Sequence, residues 1–338
     1  MITYVKGSLF ESPAKVLVNT VNTVGVMGKG IAKTFKEIYP EMFSQYQRLC
    51  ETRELQIGKL WLFRTEHKWI LNFPTKVHWR QPSMPEYIKQ GLIKFVSAYP
   101  ALGITSIAFP QLGCGNGELD WETVVRPLMT RYLGSLPIDT FIYKYEREFP
   151  KPEHRDIVAM NAWLRSEPRT LAFEEVWRDL CDHVGMGLDL KTWDGMDDFR
   201  VTITDQPEHG IQIWLRSKSV WGHLVASLTQ LAQWIPARWR PRVIRPGAIF
   251  IPKEATLDLW QNIRAYGFCV PRIMSQGLDL LAPYVMALLA RLDYMRRVEL
   301  SPQTAGGSDE KEVALQLFVP PAPRPARSSQ PAFAVQRV

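Results

Sequence analysis

Apolar positions in the first 145 residues switch repeatedly between a period of two and a period near four. Val16-Leu17-Val18, Trp61-Leu62-Phe63, Trp69-Ile70-Leu71-Asn72-Phe73, Ile104-Thr105-Ser106-Ile107-Ala108-Phe109 and Asp139-Thr140-Phe141-Ile142-Tyr143 read as short strands. Between them, three runs have helical spacing: Gly30 to Ile38, Tyr87 to Tyr99 with Ile88, Leu92, Phe95 and Val96 on one face, and Trp121 to Leu133. This alternation predicts an α/β layer fold, a largely parallel sheet covered on both faces. Ligands of such sheets bind beyond the carboxyl ends of the strands.

The pattern changes after the charged, proline-bearing segment 146–153, which is expected to mark a domain boundary near residue 150. Residues 151–300 read as a smaller α+β domain with helices at 154–184, 218–235, 254–266 and 276–298 and strands at 199–205, 210–216 and 248–251. Residues 301–338 carry Gly306-Gly307-Ser308 and Pro320-Pro321-Ala322-Pro323. Such composition buries little apolar surface, so a disordered tail is expected.

A length of 338 residues agrees with two domains. With 46% apolar and 22% charged residues, the chain is neither mostly disordered nor collagen-like. No apolar run approaches a membrane span, so no membrane partner is expected. The start of the chain lacks the pattern of a secretory signal. Cys50, Cys114, Cys181 and Cys269 lie far apart without metal-ligand spacing. They read as reduced residues of a cytoplasmic protein that needs neither a metal nor a redox cofactor. Residues 1–150 hold 18 Lys and Arg against 13 Asp and Glu, most of the chain's net +7, so this half is the one expected to face a phosphate-bearing partner.

The chemistry concentrates in three stretches of that half. Asn19 to Ala32 ends a strand, places Asn19 and Asn22 three apart, and opens a helix through Gly25, Gly28 and Gly30. Glycines let a backbone approach an anion closely, and a helix N-terminus offers free N–H groups. The spacing matches neither a Walker loop nor the dinucleotide fingerprint. Phe109 to Gly117 is a second strand running into alternate glycines, Gly113, Gly115 and Gly117. Two such turns at one sheet edge can hold a diphosphate with backbone donors. The residues expected to line this site are Thr23, Val26, Met27, Lys29 and Ile31 with Asn19 and the glycines of the first loop, and Leu112, Cys114 and Asn116 with those of the second. In the third stretch, Asn72 to Arg80, Lys76 follows Pro74 and Thr75 at a strand end, where a lysine can act as nucleophile or electrostatic stabiliser.

Together the three stretches resemble a macrodomain, the ADP-ribose-binding α/β/α sandwich, over about residues 1–145. The subclass they resemble contains the terminal ADP-ribose glycohydrolases and the DarG antitoxins. The resemblance implies that Lys76 is catalytic, that Asn22 orients the distal ribose, and that Ser8, Leu9 and Thr75 join the binding site. It also implies a function. The chain would remove ADP-ribose from thymidine bases of single-stranded DNA, and residues 151–300 would neutralise a cognate DarT-like ADP-ribosyltransferase toxin. Two departures stand out. Gly7-Ser8 replaces the usual Gly-Asp that holds the adenine amine, and Gly117 replaces an aspartate that assists the lysine in the terminal glycohydrolases. No carboxylate is then visible beside Lys76, and His78 is the one nearby candidate proton carrier. A non-catalytic ADP-ribose reader and a glycohydrolase of ADP-ribosylated protein glutamates remain the alternatives.

Overall fold

Strand β2 (Val16–Asn22) carries apolar residues on both sides. Val16 and Val18 pack into one core cluster, and Leu17 and Val21 into another. A strand buried on both faces requires a layer of helices on each side. In the computed structural model, which describes residues 1–145, 151–206, 208–216, 221–231, 234–236, 238–275, 277–300 and 312–319, both layers are present. The chain runs β1 (Ile2–Lys6), β2, α1 (Gly30–Ile38), α2 (Pro40–Glu51), β3 (Trp61–Arg64), β4 (Trp69–Lys76), α3 (Pro85–Ala98), β5 (Ser106–Pro110), α4 (Arg126–Leu133) and β6 (Asp139–Lys144). The strand order is β1-β6-β5-β2-β4-β3, with only β3 antiparallel to its neighbour. Phe35, Met42, Phe43 and Tyr46 of α1 and α2 cover one face, and Ile88, Leu92, Phe95, Met129 and Leu133 of α3 and α4 cover the other. This is the expected three-layer sandwich.

Two elements were not foreseen. β1 is an edge strand with Thr3 and Tyr4 exposed, so it lacks an alternating apolar signal. Helix α2 begins at Pro40, where a proline costs no helical hydrogen bond. The expected helix from Trp121 starts as a wider π turn, Trp121–Val125, capped by Asp120, before α4 begins. Pro127 lacks the N–H that regular α geometry would need there.

Beyond residue 150 follow α5 (Ile157–Ser166), α6 (Phe173–Val184), β7 (Leu188–Lys191), β8 (Asp198–Thr204), β9 (Gly210–Leu215), α7 (Trp221–Leu231), β10 (Arg242–Arg245), β11 (Ala248–Pro252), α8 (Lys253–Tyr266), β12 (Phe268–Cys269), α9 (Ala282–Leu289), β13 (Met295–Leu300) and β14 (Glu312–Leu317). Strands β10-β11-β9-β8-β7 form one antiparallel sheet and β12-β14-β13 another. The class is α+β, with three corrections. The helix expected over 154–184 is divided at Pro168, which cannot continue it. The helix expected over 276–298 is confined to α9, because the charged alternation of Met295-Arg296-Arg297-Val298-Glu299-Leu300 pairs as a strand. Within the stretch expected to be a tail, residues 312–317 form β14, whose Ala314 and Leu315 are buried. The composition of the whole stretch hid this short apolar run. Residues 146–150, 301–311 and 320–338 lie outside the described residues. Among the described residues no helix is long and apolar enough to cross a membrane.

The two halves share a core. Val26 and Trp79 pack into the cluster built by α5, α6 and the second half's sheet. Glu175 of α6, 0% exposed, accepts hydrogen bonds from Trp79 Nε1 at 2.9 Å and from both terminal nitrogens of Arg80, at 2.5 and 2.7 Å. Burial alone would raise this carboxyl. The hydrogen bonds and charge of Arg80, together with Trp79 and Arg178, outweigh it and hold it below the usual carboxylate range. A folded-state pKa below the unfolded one adds stability that is present above about pH 4.3 and lost as pH falls through the folded value. Elsewhere Arg264 bonds both oxygens of Glu51 at 2.8 and 3.1 Å, and Lys36 meets Glu167 at 2.8 Å. Arg80→Ala leaves buried Glu175 with only the more distant Arg165, at 3.7 Å, as a paired charge and is expected to destabilise the full chain by about 2–4 kcal/mol, read from urea midpoints at pH 7. The double variant Arg80→Met with Glu175→Met is expected to cost less than Arg80→Ala. A midpoint unchanged by Arg80→Ala would contradict this account of the contact.

Candidate active site

The carboxyl ends of β2, β4, β5 and β6 open on a cavity of about 550 Å³. β2 and β4 run in register until Val21 opposes Pro74. Asn22 then opposes Lys76, so Thr75 is an extra residue on β4. Such a bulge turns the end of a strand, and Pro74, with no N–H to donate, suits the place where the ladder breaks. It sets Lys76 beside Asn22 at the cavity floor.

The first loop is held in shape by Asn22 itself. Its Oδ1 accepts from the backbone N–H groups of Val24 and Val26 and from the Tyr46 hydroxyl at 3.0–3.2 Å, and its Nδ2 donates to the Val26 carbonyl at 2.6 Å. One amide hydrogen is therefore committed to the loop and the second is not needed for it. Helix α1 then begins at Gly30, whose φ of +59° an L side chain rarely adopts. No side chain caps this helix and its first turn holds no acidic residue. Gly30, Ile31 and Ala32 line the cavity, so the helix presents its N-terminal N–H groups there.

The second loop contributes Gly113, Gly115, Asn116 and Gly117 to the lining. Asn116 Oδ1 is buried with no protein hydrogen-bond partner. A Cβ at Gly117 would lie 2.2 Å from Ser83 Oγ and 2.3 Å from the Gly113 carbonyl, so a side chain does not fit at that position. Further lining comes from Ser8, Leu9 and Phe10 after β1, and from Tyr143, Lys144 and Tyr145 at the end of β6.

Lys76 is 5% exposed. Its ammonium donates to the carbonyls of Trp79 and Asn116, each at 3.1 Å, and faces Glu153 Oε2 at 3.5 Å. Burial lowers the Lys76 pKa, against the opposing pull of Glu153 and Glu118. Glu153 is 4% exposed, and burial raises its carboxyl against the pull of Lys76 and Lys29. This is the carboxylate that the motifs did not reveal. It comes from the 3-10 turn Glu153–Arg155, and the turn is fastened to both loops. His154 and Arg155 hold Glu118 at 2.6 and 2.7 Å, and Asp156 meets Lys29 at 3.8 Å.

Of the residues expected at the site, Ser8, Leu9, Asn22, Val26, Lys29, Gly30, Ile31, Thr75, Lys76, Gly113, Gly115, Asn116 and Gly117 line the cavity. The others support it from behind. Asn19 donates to Asn72 at 2.9 Å within the sheet, and Met27, Leu112 and Cys114 are buried. Burial also pushes the Cys114 thiol up to about 12. Thr23 ties the loop to the Val77 carbonyl, and Gly25 abuts Gln47 and Ala172. A Cβ at Gly28 would fall 1.9 Å from Met160 Cε, so this glycine makes room for α5. His78 does not line the cavity. It accepts from the Arg80 N–H at 3.1 Å, and burial depresses its pKa to about 4, so it is not the proton carrier suggested by proximity in sequence.

A family model described as Macro domain matches residues 18–128. The chain is 48% identical over 147 residues to a DNA ADP-ribosyl glycohydrolase of Mycobacterium tuberculosis, covering 42% of each protein. It is 39% identical over 161 residues to a DNA ADP-ribosyl transferase-DNA ADP-ribosyl glycohydrolase fusion protein of Thermosipho africanus, covering 42% of this chain and 41% of that one. The aligned part thus spans less than half the length of these relatives. The chain is also 31% identical over 124 residues to the ADP-ribose glycohydrolase OARD1 of Bos taurus, covering 36% of this chain and 78% of that protein. With the layered sheet, the matched segment and a relative covered over most of its length, the chain belongs to the macrodomain family.

Proposed function

We propose that this chain is a DNA ADP-ribosyl glycohydrolase of the DarG type, which releases ADP-ribose from thymidine bases of single-stranded DNA. The observation that carries the reading is Lys76, a buried cation at the floor of a cavity walled by two glycine loops. The uncapped N-terminus of α1 suits a diphosphate, with Lys29 and Lys144 adding positive charge nearby. Asn22 would give its second amide hydrogen to the distal ribose, and Ser8 would meet the adenine end. Lys76 would act on the anomeric carbon, either by attack or by stabilising charge as the bond to the thymine nitrogen breaks. Loss of ADP-ribose from a thymidine-modified oligonucleotide incubated with the chain is the direct test.

We further propose a division of labour. Residues 1–150 supply the ADP-ribose-binding loops and Lys76, and residues 151–300 bind and block a DarT-like ADP-ribosyltransferase toxin. The order of the two parts supports this, as does the similarity to a protein whose name joins a transferase to a glycohydrolase.

Lys76→Ala is expected to lower turnover of the modified oligonucleotide at least about a hundredfold, while ADP-ribose affinity measured by calorimetry stays within about tenfold, roughly 1.4 kcal/mol. Lys76→Arg keeps the charge but offers no amine at neutral pH. Activity restored by arginine would assign Lys76 an electrostatic role, and activity still lost would favour attack. Wild-type turnover by Lys76→Ala would contradict the catalytic reading. The same Lys76→Ala chain is expected to relieve the toxicity of the partner transferase in cells, because the second half would still bind it. Complete loss of protection would remove that role.

A further inference from the structure

Resting on the glycohydrolase reading, we propose that Glu153 is the proton partner of Lys76, a residue supplied from beyond the macrodomain that takes the ammonium proton to free the amine and returns it to the leaving base. An ammonium has three hydrogens and no lone pair. Here they face the Trp79 carbonyl, the Asn116 carbonyl and Glu153 Oε2. Two of these acceptors are amide oxygens, which do not take up a proton near neutral pH. Glu153 does. It is also, with Lys76, one of the residues lining the cavity.

The exchange is balanced. The Nζ–H bond breaks and an Oε2–H bond forms, so a charged pair becomes a neutral one with no change in net charge. The amine bonds to the anomeric carbon as the carbon–nitrogen bond to thymine breaks, and that electron pair leaves with the base nitrogen. The nitrogen takes the proton from Glu153, restoring the carboxylate. Water then adds to the anomeric carbon, and the lysine departs as the ammonium. Burial favours the neutral pair, since it raises the carboxyl and lowers the amine.

The carboxylate's position is fixed from both sides. His154 and Arg155 grip Glu118 in the second loop, and Asp156 meets Lys29 at the first. The other titratable groups facing Glu153 are Lys29 and Tyr46, and the Tyr46 hydroxyl is raised well above its ordinary value, mainly by burial.

The test uses the full chain and a thymidine-ADP-ribosylated oligonucleotide, with kcat measured across pH and ADP-ribose affinity measured in parallel as a check on folding. The wild type is expected to lose activity as pH falls through the Glu153 pKa, because the protonated acid can no longer accept. Glu153→Gln preserves shape and is expected to reduce kcat about a hundredfold, with affinity within about threefold and the acid limb moved to higher pH, because Lys76 must then lose its proton to solvent. Glu153→Asp is expected to recover part of the lost turnover. Glu118, His154 and Asp156 are untouched by this change, so an acid limb that stays where the wild type has it does not come from Glu153 and overturns the proposal, as does turnover equal to wild type. A wild-type chain that releases no ADP-ribose at all would instead refute the glycohydrolase reading.

Discussion

A lysine ammonium removed from water is tolerated only where acceptors replace its hydration, and the cavity floor is arranged around that requirement for Lys76. Its three partners come from three parts of the chain. Trp79 lies just after β4, Asn116 in the second glycine loop, and Glu153 in the turn that enters the second half. The bulge at Thr75 sets the lysine at the strand end, and these three segments fix where its acceptors lie. A change in any of the three segments is felt at one nitrogen atom.

The second half is therefore built into the site as well as attached to it. Glu153, Asp156 and Met160 follow one another along the first stretch after residue 150. They reach Lys76, Lys29 and Gly28 in turn. Glu175 anchors the other side through Trp79, the same residue whose carbonyl receives the Lys76 ammonium. Contact between the halves and the setting of the lysine are thus mechanically continuous.

Much of this was legible in the sequence, for identifiable reasons. Glycine clusters after strands marked both loops, and a lysine behind a proline at a strand end marked Lys76. Motif membership did not say which way a side chain points. Asn19, Met27, Leu112 and Cys114 belong to the same stretches as cavity residues yet are buried in the interior. Glu153 gave no signal, since an acidic residue in a charged, proline-flanked segment normally stays in water. In the fold its turn contacts Glu118 and Lys29 and its carboxylate meets Lys76 in the interior. β1 and β14 were missed because one is an exposed edge and the other a short apolar run within a polar, proline-rich stretch.

The central claim is that a buried lysine is the group that meets the sugar. Free ADP-ribose carries an anomeric carbon that opens to an aldehyde, and cyanoborohydride fixes the bond such an aldehyde forms with an amine. Incubating the full chain with both reagents at limited extent and mapping the adduct by mass spectrometry sets reach within the cavity against simple exposure. The account predicts that buried Lys76 is modified first and that excess ADP blocks it. Adducts confined to exposed lysines such as Lys33 and Lys89, with Lys76 untouched, would contradict it.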